Sequence, residues 1–263
     1  LSLLSYLVVL FIVDVAWSDV ASKLFVPSLD FERPQIAALI AIFGTTISPY
    51  LFFWQTAEEV EELNDGGHDG PPTEGQLAAM RGDVVAGMSS GVVAMFAIMV
   101  TAAATLNAEG ITTIGTAEEA ARALEPLAGR LAGLVFTLGI VGTGLLAVPV
   151  LAGSTSYAIA ETFGWREGLS LKMSQARAFY FVILGSMFAG IAMNLLGLDP
   201  VRGLYWSAIL NGVAAPPLII MIFLLSRKRA VLGAHASGPL SQTVVLGAAV
   251  LSAALPVAYL FSR

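Results

Sequence analysis

Few residues in this sequence could do chemistry, and the most informative of them lie together, in Gly44-Thr45-Thr46-Ile47-Ser48-Pro49-Tyr50-Leu51-Phe52-Phe53-Trp54-Gln55. Pro49 has no N–H, and in a helix its ring would clash with the carbonyl of Thr45. Gly44, just before, tolerates unusual dihedrals. Three hydroxyl side chains sit beside this interruption, so peptide oxygens and hydroxyls could face a cation there. Two readings stay open on spacing alone. The stretch is either an ordinary proline kink healed by Thr and Ser hydroxyls, or an ion site built on unwound carbonyls.

The other candidates are single polar residues in apolar surroundings. Asp14 stands within a hydrophobic run, where an acid either joins an ion or proton path or is paired inside a bundle. Asp19 falls near the end of that run and needs no role. Asn211 lies five residues before Pro216-Pro217; an interhelical hydrogen bond is its plain reading. Glu58, Glu59, Glu61 and Glu62 read as a solvated helix end. Gly153-Ser154-Thr155-Ser156 reads as close helix packing, with the lining of a path as the alternative. No nucleophile comes with a base and an orienting group, so the expectation is that the chain is not an enzyme.

What must position these residues is a set of membrane helices. Hydrophobic residues make up 57% of the 263 and charged residues only 12%, and the mean hydropathy is +0.81. A soluble domain carries about 25% charged residues, and a chain this apolar would aggregate in water. A helix needs about 20 mostly apolar residues to cross a bilayer. The hydropathy predicts about seven such spans, near 3–25, 35–56, 83–106, 128–160, 178–198, 203–225 and 241–261, in one transmembrane domain over 1–263. The fourth is long enough to be broken or strongly tilted. Runs such as Leu218 to Leu225 do not alternate, which argues against a β-barrel. Between the second and third spans, residues 58 to 80 read as a solvated acidic linker. Thr116 followed by Glu118 and Glu119 reads as the capped start of a short surface helix.

Composition also excludes partners. The net charge is −6, so there is no basic field for nucleic acid. There is no cysteine for a disulfide or a thiolate metal site, and two histidines give poor support to a zinc enzyme. Basic residues in 161–177 and 226–240 put those loops on one side, taken as cytoplasmic. The chain begins at Leu1 inside an apolar run with no basic stretch before it, so the expectation is that further helices precede it.

The segment from Thr45 to Glu62, together with Gly139 to Ser154 (GIVGTGLLAVPVLAGS), resembles the Nramp family of divalent metal transporters, and more narrowly a bacterial Nramp-related branch. The likeness runs over the whole chain. It implies an all-α polytopic fold of the inverted-repeat, LeuT-like class, with this chain holding the part from the fifth helix onward. It implies a secondary transporter in a cell membrane, the bacterial inner membrane, with a divalent ion as cargo and no resident cofactor. In the family the metal sits between two broken helices, and the Asp-Pro-Gly-Asn ligands of the first have no counterpart here. The Ala-x-x-Met-Pro-His pattern of the other falls on Thr45 to Tyr50. The resemblance therefore makes Thr45 a carbonyl ligand, puts Ser48 where the family has methionine, and suggests Asn211 as the amide that assists the metal. Two family histidines fall on Tyr50 and Gln55, residue types that do not titrate near neutral pH. A hydroxyl in place of a thioether favours hard ions such as Mg²⁺ or Mn²⁺ over softer ones. An organic-substrate carrier of the same fold and a non-transporting membrane scaffold are the alternatives.

Overall fold

The computed structural model describes residues 2–26, 32–66, 72–125, 129 and 132–262. Among them there is helix and no strand. The helices are α1 (Ser2–Ile12), α2 (Trp17–Phe25), α3 (Arg33–Thr46), α4 (Pro49–Asp65), α5 (Glu74–Ala102), α6 (Ala117–Ala121), α7 (Ala132–Phe163), α8 (Arg177–Leu195), α9 (Pro200–Ser226) and α10 (Pro239–Phe261), with a single further turn at Arg229–Leu232. Six stretches are long and apolar enough to cross a membrane: Arg33–Asn64, Glu74–Asn107, Phe136–Phe163, Arg177–Leu195, Pro200–Ser226 and Pro239–Phe261. Their apolar side chains are largely uncovered, as in Leu145, Leu146 and Leu204, which is the surface a lipid solvent asks for.

Two sequence expectations need correction, and one open alternative is narrowed. The expected span at 3–25 is two helices, of 11 and 9 residues, each far short of the ~20 a crossing requires. The break falls at Val13-Asp14-Val15-Ala16, where β-branched residues and an aspartate weaken the helix. The expected linker at 58–80 is mostly helical, because α4 runs on to Asp65 and α5 starts at Glu74. Thr73 makes that early start possible. Its hydroxyl accepts from the Gln76 N–H, and the Gln76 side chain accepts from the Thr73 N–H at 2.8 Å, a complete capping box. The fourth span is not broken: α7 carries Pro149 inside one assigned helix.

The helices cluster into two compact units. In the first, α1 packs on α5 and α7, with Tyr6, Val9, Ala97 and Leu124 as its buried centre. Leu124 lies just after α6, whose Thr116 cap and Glu119 form the expected box. A second centre in this unit joins Tyr157, Ala160, Ala176 and Phe179, with Trp54 and Ala57 of α4 against it. In the other unit α9 packs on both α3 and α10, around Ala215, Ile219 and Ala249 with Ile47 alongside. Arg33 at the start of α3 donates from Nε to the Ser262 carbonyl at 3.0 Å and stacks over Tyr259.

A candidate metal site at an interrupted helix

The helical ladder stops between α3 and α4. Ile47 leaves the helix with φ −111° and ψ 71° while its N–H still reaches the Phe43 carbonyl at 2.7 Å. Ser48 follows outside either helix, and Pro49 opens α4 at the position where a missing N–H costs nothing. Ser48 is buried, 2% exposed. Its hydroxyl hydrogen bonds to two carbonyl oxygens, Gly44 O at 2.8 Å and Thr45 O at 3.1 Å. Thr45 and Thr46 turn their own hydroxyls back to the Ile42 carbonyl, at 2.9 and 2.8 Å. The interruption is where Pro49 predicts it. The Thr45 carbonyl, however, is not bare: the neighbouring hydroxyl stands in for the N–H that proline lacks.

α3 reaches α9 through glycine. A Cβ on Gly44 would lie 2.0 Å from the Ala208 carbonyl oxygen and 2.4 Å from the Gly212 nitrogen, and one on Gly212 would lie 2.2 Å from the Ile40 carbonyl oxygen. Backbone therefore meets backbone at this crossing. It sets the turn of α9 that carries Asn211, half-buried and adjacent to Gly212 in the chain, against α3 one turn before Ser48. Thr45, Ser48 and the Asn211 turn thus belong to one unit. Tyr50, half-buried, starts α4 in that unit. Asp14 and Gln55 belong to the other unit. Asp14 is exposed in the α1–α2 break, and Gln55 donates from Nε2 to Glu59 Oε1 at 2.8 Å.

Among the described residues no cluster of three or more His, Cys, Asp or Glu side chains could hold a metal. The polar groups at the break are peptide carbonyls and hydroxyls, hard oxygen ligands in kind, and here they bond to one another. Sequence reasoning missed the role of Glu61. It was grouped with its neighbours as a solvated end, yet its carboxylate is engaged by Tyr157, Leu169 and Ser170. Nothing in the spacing of these residues announces that contact. The Gly153 to Ser156 stretch packs rather than lining a path: Gly153 faces the Trp54 ring, and the Ser156 hydroxyl donates to the Phe179 carbonyl.

Long apolar helices, with an unwound stretch between α3 and α4, define a multi-pass membrane protein. The family model "Natural resistance-associated macrophage protein-like" (Nramp) matches residues 1–262, and the chain belongs to that family. It is similar to proteins named "Divalent metal cation transporter MntH". The one from Caldanaerobacter subterraneus is 27% identical over 251 residues, covering 95% of this chain and 55% of the relative. Those of Acidiphilium cryptum (29% over 267 residues, 97% and 55%) and Clostridium acetobutylicum (27% over 227 residues, 85% and 49%) are comparable. The chain spans about half the length of these curated relatives.

Proposed function

We propose that the full-length protein containing this chain carries a divalent metal cation across a cell membrane, with the interrupted stretch from Thr45 to Pro49 as one wall of the site. The observation that carries this is the Ser48 hydroxyl. It sits buried at the break, on the carbonyls of Gly44 and Thr45. A hydroxyl holding its proton on one carbonyl keeps lone pairs for a cation, and the second carbonyl is freed when the ion arrives. Ser48 and the Thr45 carbonyl, joined by the amide of Asn211 from the α9 turn that adjoins α3, would supply oxygen ligands only. That set favours hard ions such as Mg²⁺ or Mn²⁺ over soft Cd²⁺, with Fe²⁺ between them. The family match and the names of the relatives support the cargo class and a transporter rather than an enzyme. An organic carboxylate as cargo would want free N–H groups at the start of α4. The Leu51 N–H is instead bonded to the Ser48 carbonyl at 3.1 Å, which counts against it.

The test is flux into proteoliposomes holding the full-length protein. Mg²⁺ or Mn²⁺ uptake is expected, with a drop of at least tenfold in apparent affinity for Ser48→Ala combined with Asn211→Ala. Ser48→Met is expected to tilt selectivity towards Cd²⁺ by introducing a soft thioether. Uptake of Fe²⁺ or Cd²⁺ by the wild type with no Mg²⁺ or Mn²⁺ flux would overturn the hard-ion reading.

A further inference from the structure

The four acids that close α4 have different surroundings. Glu59 takes the Gln55 amide. Glu58 has Oε1 buried with no hydrogen-bond partner among the described residues. Glu61 alone has a full set of donors. Its Oε2 accepts from the Tyr157 hydroxyl of α7 at 2.5 Å and from the Leu169 N–H at 3.1 Å, and its Oε1 accepts from the Ser170 N–H at 2.5 Å. The Tyr157 oxygen also accepts from the Leu169 N–H, at 3.2 Å. The loop is shaped for this contact. Gly168 has φ +136°, a conformation other residues rarely adopt, and a Cβ there would stand 3.3 Å from Glu61 Oε1. Tyr180 of α8 fixes the next residues from the other side, donating to the Leu171 carbonyl at 2.7 Å. About two turns earlier on α4, Trp54 lies against Gly153, where a Cβ would fall 2.3 Å from its ring, and meets Tyr157 edge to face.

A carboxylate accepting two backbone N–H groups and a phenol is a directed, charge-assisted clamp. It joins the end of α4 to the last turns of α7 and the loop before α8, about a hundred residues further along the chain. From this arrangement we infer that Glu61 is a positioning residue for transport. It ties the far end of α4 to α7 and to the loop before α8, all within one compact unit. The inference rests on the transport reading above and deepens it. Glu61 touches no cargo, and its loss should slow the transport cycle without weakening the site for the ion.

The experiment uses the full-length protein with Glu61→Gln, Tyr157→Phe and the double variant. Glutamine can accept one N–H but presents an NH₂ to the remaining donors, so the clamp opens. In proteoliposomes loaded to follow Mn²⁺ entry, E61Q should lower the maximal rate at least fivefold with KM within twofold of wild type. Y157F should have a smaller effect, and the double variant should match E61Q, because both act through one contact. Hydrogen exchange at the Leu169 and Ser170 amides should quicken at least tenfold in E61Q, while α9 amides keep their wild-type rates. Wild-type rates and exchange in E61Q overturn the inference, as does a change in KM alone or strictly additive losses. Should E61Q fail to fold, Y157F carries the same comparison with smaller shifts. A wild type that moves no divalent cation removes the transport reading instead, and the exchange rates then still decide whether Glu61 holds the loop.

Discussion

At Ser48 a single hydroxyl serves two carbonyls, and the close contact that makes the break possible lies four residues back, at Gly44. Gly44→Ala would drive a methyl into the Ala208 carbonyl and the Gly212 nitrogen, neither of which is a flexible side-chain end. The expected cost is about 1–3 kcal/mol, read as a lowered melting temperature in detergent, whereas Gly82→Ala, with open space around its Cβ position, should leave it unchanged or raise it. A different effect is expected at Glu167, in the loop after α7. Burial, then the nearby charges of Glu161 and Glu61, raise its pKa above the ordinary glutamate value, and its Oε2 is buried without a hydrogen-bond partner among the described residues. The native state therefore holds this proton more tightly than the unfolded chain does. Stability from this group is present at low pH and is lost as pH rises through the folded-state pKa. Glu167→Gln should accordingly stabilise the protein at neutral pH, with the gain vanishing below the ordinary glutamate range in a melting series against pH. Which of these residues the sequence reveals depends on the reach of the contact. Pro49 announces its own effect on the backbone. The Thr45 carbonyl was expected to be exposed because a side chain that folds back on it leaves no trace in spacing. Glu61 depends on partners about a hundred residues away.

Among the elements, long apolar helices were legible because hydropathy over twenty residues is a strong, local signal, and α8, α9 and α10 lie within a few residues of their expected spans. Helix ends controlled by side-chain caps were legible where the pattern was read, as at Thr116 and Glu119, and were missed at Thr73 and Gln76, where the acidic surroundings suggested a linker. The cap on α6 matters beyond its five residues, since Leu124 directly after it is 1% exposed in the centre around Tyr6 and Val9. Thr116→Ala should cost about 1 kcal/mol, appearing as faster hydrogen exchange over 117–124. No change there would show that Leu124, and not the cap, holds the segment. The 3–25 stretch failed as a span for a physical reason that hydropathy averages away. A helix is cooperative, and one weak run at Val13 to Ala16 divides it although its mean apolar character suffices.

For the whole molecule, membrane insertion follows from composition and is visible as uncovered apolar side chains along the six long apolar stretches among the described residues. The four tryptophans permit a direct check. Trp206 on α9 is 60% exposed, while Trp54 is packed against Gly153 and Tyr157. In bilayers of brominated lipid, a variant retaining only Trp206 should lose most of its fluorescence and one retaining only Trp54 should keep most of it. Equal quenching would contradict this assignment of lipid-facing surface. The fold class was legible at this scale through the family likeness, which a family model over residues 1–262 supports. The grouping of helices into two units was not, because it depends on contacts between α3 and α9 that no periodicity encodes.

The glycine crossing of α3 and α9 has a mechanical corollary. Two shafts touching main chain to main chain resist a one-turn ratchet, because the positions a turn along, Ile40 and Ser48 on one side and Ala208 and Pro216 on the other, carry side chains where the notch has none. The crossing thus anchors α3 firmly up to the two-residue joint at Ile47 and Ser48, the one point between α3 and α4 where the helical ladder is open.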